Sequence, residues 1–109
     1  MREYVVGQII LGEIERIGNI KREGLIIHCD EEKIREFLEI KYLREEDELR
    51  GLRNLLVKTL ADRISAMRIT EDMVEDKKKL YEEIDKQHAI MSVVTGIIDN
   101  RLWELGYPV

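Results

Sequence analysis

Residues 71–105 have the sequence EDMVEDKKKLYEEIDKQHAIMSVVTGIIDNRLWEL, and this stretch decides the fold. Apolar side chains recur along it at intervals of three and four residues, which is typical of one face of an α-helix. Thr70 is predicted to cap this helix, and the single proline, Pro108, does not interrupt it. The apolar stripe consists of Met73, Leu80, Ile84, Met91, Val94, Ile98 and Leu105.

This predicted helix is long for a chain of 109 residues. At about 1.5 Å per residue it would extend roughly 52 Å, whereas a compact chain of this length is roughly 34 Å wide. We therefore expect the helix either to break around Ser92 to Gly96 or to be covered by another chain. Lys77, Gln87 and Arg101 lie at core positions of the heptad, where they either fix the register of a helix pair or reach solvent.

A second helical stripe over residues 44–68 precedes the long helix. Two neighbouring helices with apolar stripes predict self-association, with each helix packing against its symmetry mate in a homodimer or a higher oligomer. A different protein partner would use the same kind of surface. The residues predicted to form this interface are Leu49, Leu52, Leu56, Leu60, Ile64, Met67, Leu80, Ile84, Met91, Val94, Ile98 and Leu105.

The amino-terminal segment 3–17 also favours a helix, with Gly18 as the residue after its end. The alternative is a strand, because this segment is rich in β-branched residues and contains Gly7 and Gly12. Glu13, Glu15 and Arg16 lie opposite the predicted apolar face. That face consists of Val6, Ile9, Ile10, Ile14 and Ile17.

Residues 25–29, with the sequence LIIHC, predict a short strand or a buried extended connector. As a strand, this run would pair with the amino-terminal segment or with another copy of the chain. Asp30 is the expected cap of a helix over 31–42 that packs on Ile34, Phe37 and Leu38. The predicted fold is thus mainly α: one domain over residues 1–109, resembling a bundle of four helices with two long C-terminal ones, with an optional short strand near residues 25–29.

Composition and charge narrow the classes of function. The net charge of −5 argues against a protein that coats nucleic acid by bulk electrostatics. Cys29 is the only cysteine, which excludes an intrachain disulfide. Without an apolar stretch of about 20 residues or a signal-peptide pattern, we expect a cytoplasmic protein that does not cross a membrane. Few Gln, Asn and Cys residues among many Glu, Lys and Arg favour a thermophilic source, which a melting temperature would test.

Catalytic patterns are weak. Asp85, His88 and Ser92 share one helical face in the order of a catalytic triad, but the interior of a helix offers no free N–H groups for an oxyanion hole. Asp85 and His88 also have the spacing of a carboxylate-and-histidine metal pair, without the facing glutamates that such bundles use. The five consecutive ligand types in 28–32 would chelate poorly, because neighbouring residues point apart. We therefore expect no catalytic residues, no metal and no cofactor.

One alternative is a small metal-dependent nucleotide hydrolase, because spaced acidic residues in the C-terminal half suffice to bind magnesium. A second is a regulator that binds nucleic acid, because residues 50–69 carry a net charge of +4 in an acidic chain. Lys58 and Arg63 point to different sides of the helix, so the basic residues form no continuous stripe. We expect instead that the basic helix complements the acidic stretches 30–48 and 71–86 within an assembly.

The predicted function is therefore non-catalytic: an interaction, adaptor or regulatory protein whose working surface is a helical face. Trp103 lies near the C-terminus and is predicted to fill the core, with partner anchoring as the alternative.

Overall fold

The computed structural model describes residues 2–109, of which helices make up most, confirming a mainly α fold with four helices, two of them long and C-terminal. Short 3₁₀ turns at Ile40–Tyr42 and Glu71–Met73 join the later helices. The elements in chain order are α1 (Arg2–Gly18), β1 (Lys21–Glu23), β2 (Ile26–His28), α2 (Glu31–Leu38), α3 (Glu46–Ile69) and α4 (Lys77–Glu104).

The apolar run 25–29 does contain a strand, and its partner is local. Strand β2 pairs antiparallel with β1, and Arg22 lies opposite Ile27 in the register. The predicted pairing with the amino-terminal segment is wrong, because that segment is helical. Pairing within a hairpin satisfies the backbone groups that a lone strand would leave open.

Helix α2 is shorter than predicted. It ends at Leu38, because Glu39 adopts a left-handed backbone conformation with φ of 53°, and the chain continues as a 3₁₀ turn up to Tyr42. Asp30 occupies the cap position, but its side chain accepts no capping hydrogen bond. Of the three residues predicted to pack from this helix, Ile34 is buried and Phe37 is exposed.

Helix α4 starts later than predicted, because Thr70 ends α3 instead of capping the next helix. Asp76 caps α4 and accepts a hydrogen bond from the backbone N–H of Lys79 over 3.1 Å. The helix runs without a break through Ser92 to Gly96. Its 28 residues span about 42 Å, and the longest dimension of the chain is 47 Å. The helix therefore lies along its own chain and does not overhang it.

The inward face of α1 differs in part from the predicted one: Ile14 is buried as expected, and Ile10 and Ile17 are half-buried. Val6 and Ile9 are exposed, and the buried positions are Gly7, Leu11, Ile14 and Gly18. Gly7 explains the difference, because a Cβ built at this position would lie 2.1 Å from Oγ1 of Thr59 on α3. The absence of a side chain at Gly7 lets α1 approach α3 closely and turns the bulky side chains of Val6 and Ile9 outward.

Helices α3 and α4 pack against each other along most of their length and form the centre of the core with α1 and α2. After α4, Gly106 adopts a left-handed conformation with φ of 84°. Trp103 is 73% exposed, so the prediction that it fills the core is wrong. Among residues 2–109, no helix is both long and apolar enough to cross a membrane.

Candidate functional site

The predicted interface stripe lies largely inside the chain itself. Seven of its twelve residues are buried in the packing between α3 and α4 and cannot touch another chain while this fold persists: Leu49, Leu56, Leu60, Ile64, Ile84, Val94 and Ile98. The other five are half-buried and keep some surface for a partner: Leu52, Met67, Leu80, Met91 and Leu105. The polar heptad residues divide in the same way, because Gln87 is buried, Arg101 is half-buried and Lys77 is exposed.

Three of the five basic residues in 50–69 have partners within the same chain: Arg50, Arg53 and Arg63. Arg53 donates from Nε to Oδ1 of Asp99 on α4 over 2.8 Å, and Arg50 donates to Glu46 one turn earlier. Glu46 lies within the acidic stretch 30–48 that the sequence suggested as a partner for the basic helix, whereas Asp99 lies outside both predicted stretches. The positive charge of residues 50–69 is therefore partly neutralised between α3 and α4, which weakens the case for a nucleic-acid surface.

Arg63 is the centre of a polar cluster that joins three helices. Its Nε donates to Oε1 of Gln8 over 2.6 Å, and its Nη1 donates to Oε1 of Glu15 over 2.6 Å, both on α1. The same Nη1 donates to Oε1 of Gln87 on α4 over 3.1 Å, and Gln87 donates in turn to Glu83. Charged hydrogen bonds of this kind are directional, so the cluster fixes the rotation of α1 about its own axis.

The outward face of α1 is apolar, and we define it as the side chains of Val5, Val6 and Ile9. Their exposed fractions are 56%, 42% and 68%. Leu11 and Ile14 on the opposite side are completely buried, so α1 carries apolar side chains on two opposite faces besides the polar residues Gln8, Glu13, Glu15 and Arg16. A group of exposed apolar side chains on one helix face is a candidate contact surface.

Helices α3 and α4 have no exposed apolar patch comparable to the outward face of α1 among the described residues. Helix α3 exposes one large apolar side chain, Ile69, at its last residue. Helix α4 exposes Tyr81 and Trp103, which are 22 residues and about six turns apart. The apolar residues exposed on α1 lie within two turns, so they form a patch, whereas the others are isolated.

Charged residues flank the outward face of α1. Arg2 lies at its amino-terminal end and Glu13 at its carboxy-terminal end. Arg16 forms an ion pair with Glu13 and lowers the pKa of this carboxyl, mainly through the hydrogen bond between them. Glu13 therefore remains negatively charged at neutral pH. Among residues 2–109, Arg2 is not part of any ion pair.

The residues considered for catalysis do not assemble. Asp85, His88 and Ser92 are all exposed on α4, and no hydrogen bond joins any two of them in the described structure. Within residues 2–109, no group of three or more His, Cys, Asp or Glu side chains is close enough together to hold a metal ion. Burial raises the pKa of the Cys29 thiol, with smaller contributions from Glu31 and Asp30, so the thiol is a poor nucleophile at neutral pH.

An open groove of about 880 Å³ lies between the hairpin and α4. Its lining has three basic residues and four acidic ones: Lys21, Arg22 and Lys86, and Glu15, Glu23, Glu82 and Asp85. Charges of both signs therefore surround it in nearly equal number, and the groove favours neither an anionic nor a cationic ligand.

Sequence periodicity alone did not identify the outward face of α1 or the Arg63 cluster. A usable signal was present, because Gly7, Leu11, Ile14 and Gly18 are also spaced by four, three and four residues. The same spacing suits a helix that packs closely through small residues. Comparisons with known proteins add no relative, because no family model, curated protein or solved structure matches this chain.

Proposed function

We propose that this protein is a non-catalytic helical interaction protein that works as a homo-oligomer, with a dimer favoured, and that its working surface is the outward face of α1. One observation carries the proposal: Val5, Val6 and Ile9 form the only patch of neighbouring apolar side chains that is exposed on any of the four helices within residues 2–109. Covering this patch removes apolar surface from water, which is the main driving force of association.

The surface is small. A single helix face buries less than the roughly 800 Å² per partner of stable complexes, so we expect a dissociation constant on the order of tens of micromolar. This range suits a regulatory or adaptor protein that exchanges partners. A cytoplasmic location and a thermophilic source belong to the same proposal; they are supported by the single cysteine and by the many charged residues.

The experiment compares two substitutions at exposed isoleucines. Ile9→Glu places a charge in the outward face of α1, and Ile69→Glu places the same charge at the end of α3, where the side chain is equally accessible. Light scattering behind a sizing column, over about 10 µM to 1 mM protein, should show the mass of the wild type and of Ile69→Glu rising from that of a monomer towards that of a dimer. We expect Ile9→Glu to stay monomeric, and circular dichroism should show that it remains folded. A wild-type chain that is monomeric throughout this range would contradict the proposal.

A further inference from the structure

The outward face of α1 has a charge pattern that selects one partner and one orientation. Four residues of α1 follow one another at intervals of four, three and four, and therefore lie along one line on the helix surface. They are Arg2, Val6, Ile9 and Glu13. The line begins with a cation, ends with an anion and is apolar between them. Any second helix that covers the line must meet both charges.

A second copy of the same helix matches this pattern in only one direction. In a parallel pair, Arg2 would face Arg2 of the other copy and Glu13 would face Glu13, which is unfavourable at both ends. In an antiparallel pair, each Arg2 faces a Glu13 and each Val6 faces an Ile9. Both ends are then complementary, and apolar side chains meet in the middle.

We propose that two copies of this chain pair through α1 in antiparallel orientation about a two-fold axis, with Arg2 of each copy bound to Glu13 of the other. The pairing rests on the proposed function and specifies its partner and register. A two-fold axis makes both halves of the contact identical, so two ion pairs form and the pair is closed against further addition.

The position of Arg2 supports this pairing. A cation in the first turn of a helix is unfavourable, because the amino-terminal end of the helix dipole is positive. Within residues 2–109 Arg2 forms no ion pair, and Glu3 is the only acidic residue in its turn; Glu13 of a second copy would supply the missing ion pair. Glu13 would then lie between Arg16 of its own chain and Arg2 of the partner copy, with a cation on either side.

Charge reversal tests the orientation. Arg2→Glu and Glu13→Arg each create two like-charged contacts in the antiparallel pair, and we expect each to weaken dimerisation by about tenfold at low salt. The double variant Arg2→Glu/Glu13→Arg restores opposite charges and should regain the wild-type dissociation constant. Dimerisation is measured by sedimentation equilibrium, with and without about 0.5 M salt, which should reduce the differences. Arg68→Glu, an exposed reversal near the end of α3, is the control and should change little.

The outcomes separate this inference from the proposed function. If the single reversals dimerise as strongly as the wild type while Ile9→Glu is monomeric, α1 is the working surface but the antiparallel register is wrong. If the double variant stays as weak as the single ones, the same conclusion follows. If the wild type itself is monomeric, both the function and the register are wrong.

Discussion

At the scale of single residues, Gly7 decides how α1 packs. The space that a side chain at position 7 would fill is occupied by Thr59, a buried residue of α3. The hydroxyl of Thr59 donates a hydrogen bond to the carbonyl oxygen of Leu55 over 2.8 Å. A methyl group at position 7 would overlap with this hydroxyl. The hydrogen bond holds the threonine in place, so the overlap is relieved mainly by moving α1.

We therefore expect Gly7→Ala to lower the free energy of unfolding by about 1–3 kcal/mol, which is the usual cost of overpacking. Gly51→Ala is the control, because nothing lies within 4 Å of a Cβ at that helical position. It should raise the free energy of unfolding by roughly 1 kcal/mol, through the higher helix propensity of alanine. Urea titrations followed by circular dichroism measure both values, and equal effects of the two substitutions would disprove the role given to Gly7.

At the scale of elements, Arg63 connects α1, α3 and α4 through hydrogen bonds to Gln8, Glu15 and Gln87. Removing its guanidinium leaves the buried Gln87 with one partner fewer and leaves Glu15 without its cation. The carbonyl oxygen of the buried Gln87 then has no hydrogen-bond donor among residues 2–109, and Glu15, whose side chain is 30% exposed, loses its ion pair.

Arg63→Met should consequently lower the free energy of unfolding by about 3 kcal/mol. Methionine keeps much of the length of the side chain, so the loss is mostly electrostatic. Arg68→Met, an exposed position five residues later on the same helix, is the control and should change stability by less than about 0.5 kcal/mol. A cost at Arg63 no greater than at Arg68 would show that the cluster is incidental to the fold.

The elements also show how far sequence reasoning extends. Periodicity located all four helices, because the repeat of three and four residues is independent of what each helix packs against. It did not identify the inward face of α1, because Val6 and Ile9 are as apolar as the residues that are buried. The close approach of α1 to α3 at Gly7 determines which face of α1 turns inward. This contact depends on Thr59, which lies 52 residues away in the sequence.

The candidate surface was harder to predict for the same reason. The apolar residues of α3 and α4 are buried against each other within one chain because the chain reverses direction between the two helices. The position of this reversal was not predicted, because Thr70 ends α3 where the sequence suggested the start of the next helix. The partners of Arg53 and Arg63 likewise lie on helices that are distant in sequence. Local patterns contain no information about such pairs.

At the scale of the whole molecule, Trp103 and the outward face of α1 lie on different helices, with α3 packed against both α1 and α4. Trp103 is the only tryptophan and is largely exposed. Its fluorescence therefore reports on the surface of α4 without interference from any other indole.

We expect acrylamide to quench Trp103 about as strongly in the folded chain as in urea, because the indole is already open to solvent. Quenching should also be the same at 10 µM and at about 1 mM protein if association uses α1, and Ile9→Glu should give the same values as the wild type. Protection of the indole at high protein concentration would instead place the contact between copies on α4.

The two sides of α1 have separate tasks in this arrangement. Gly7 and its neighbours on the inner side hold the helix in place through contacts that tolerate no enlargement, whereas the side chains of Val5, Val6 and Ile9 contribute little to their own fold. We therefore expect that the residues at these three outer positions can be substituted without unfolding the chain. A library randomised there alone would offer a small, cysteine-poor scaffold for selecting binders to unrelated helical targets.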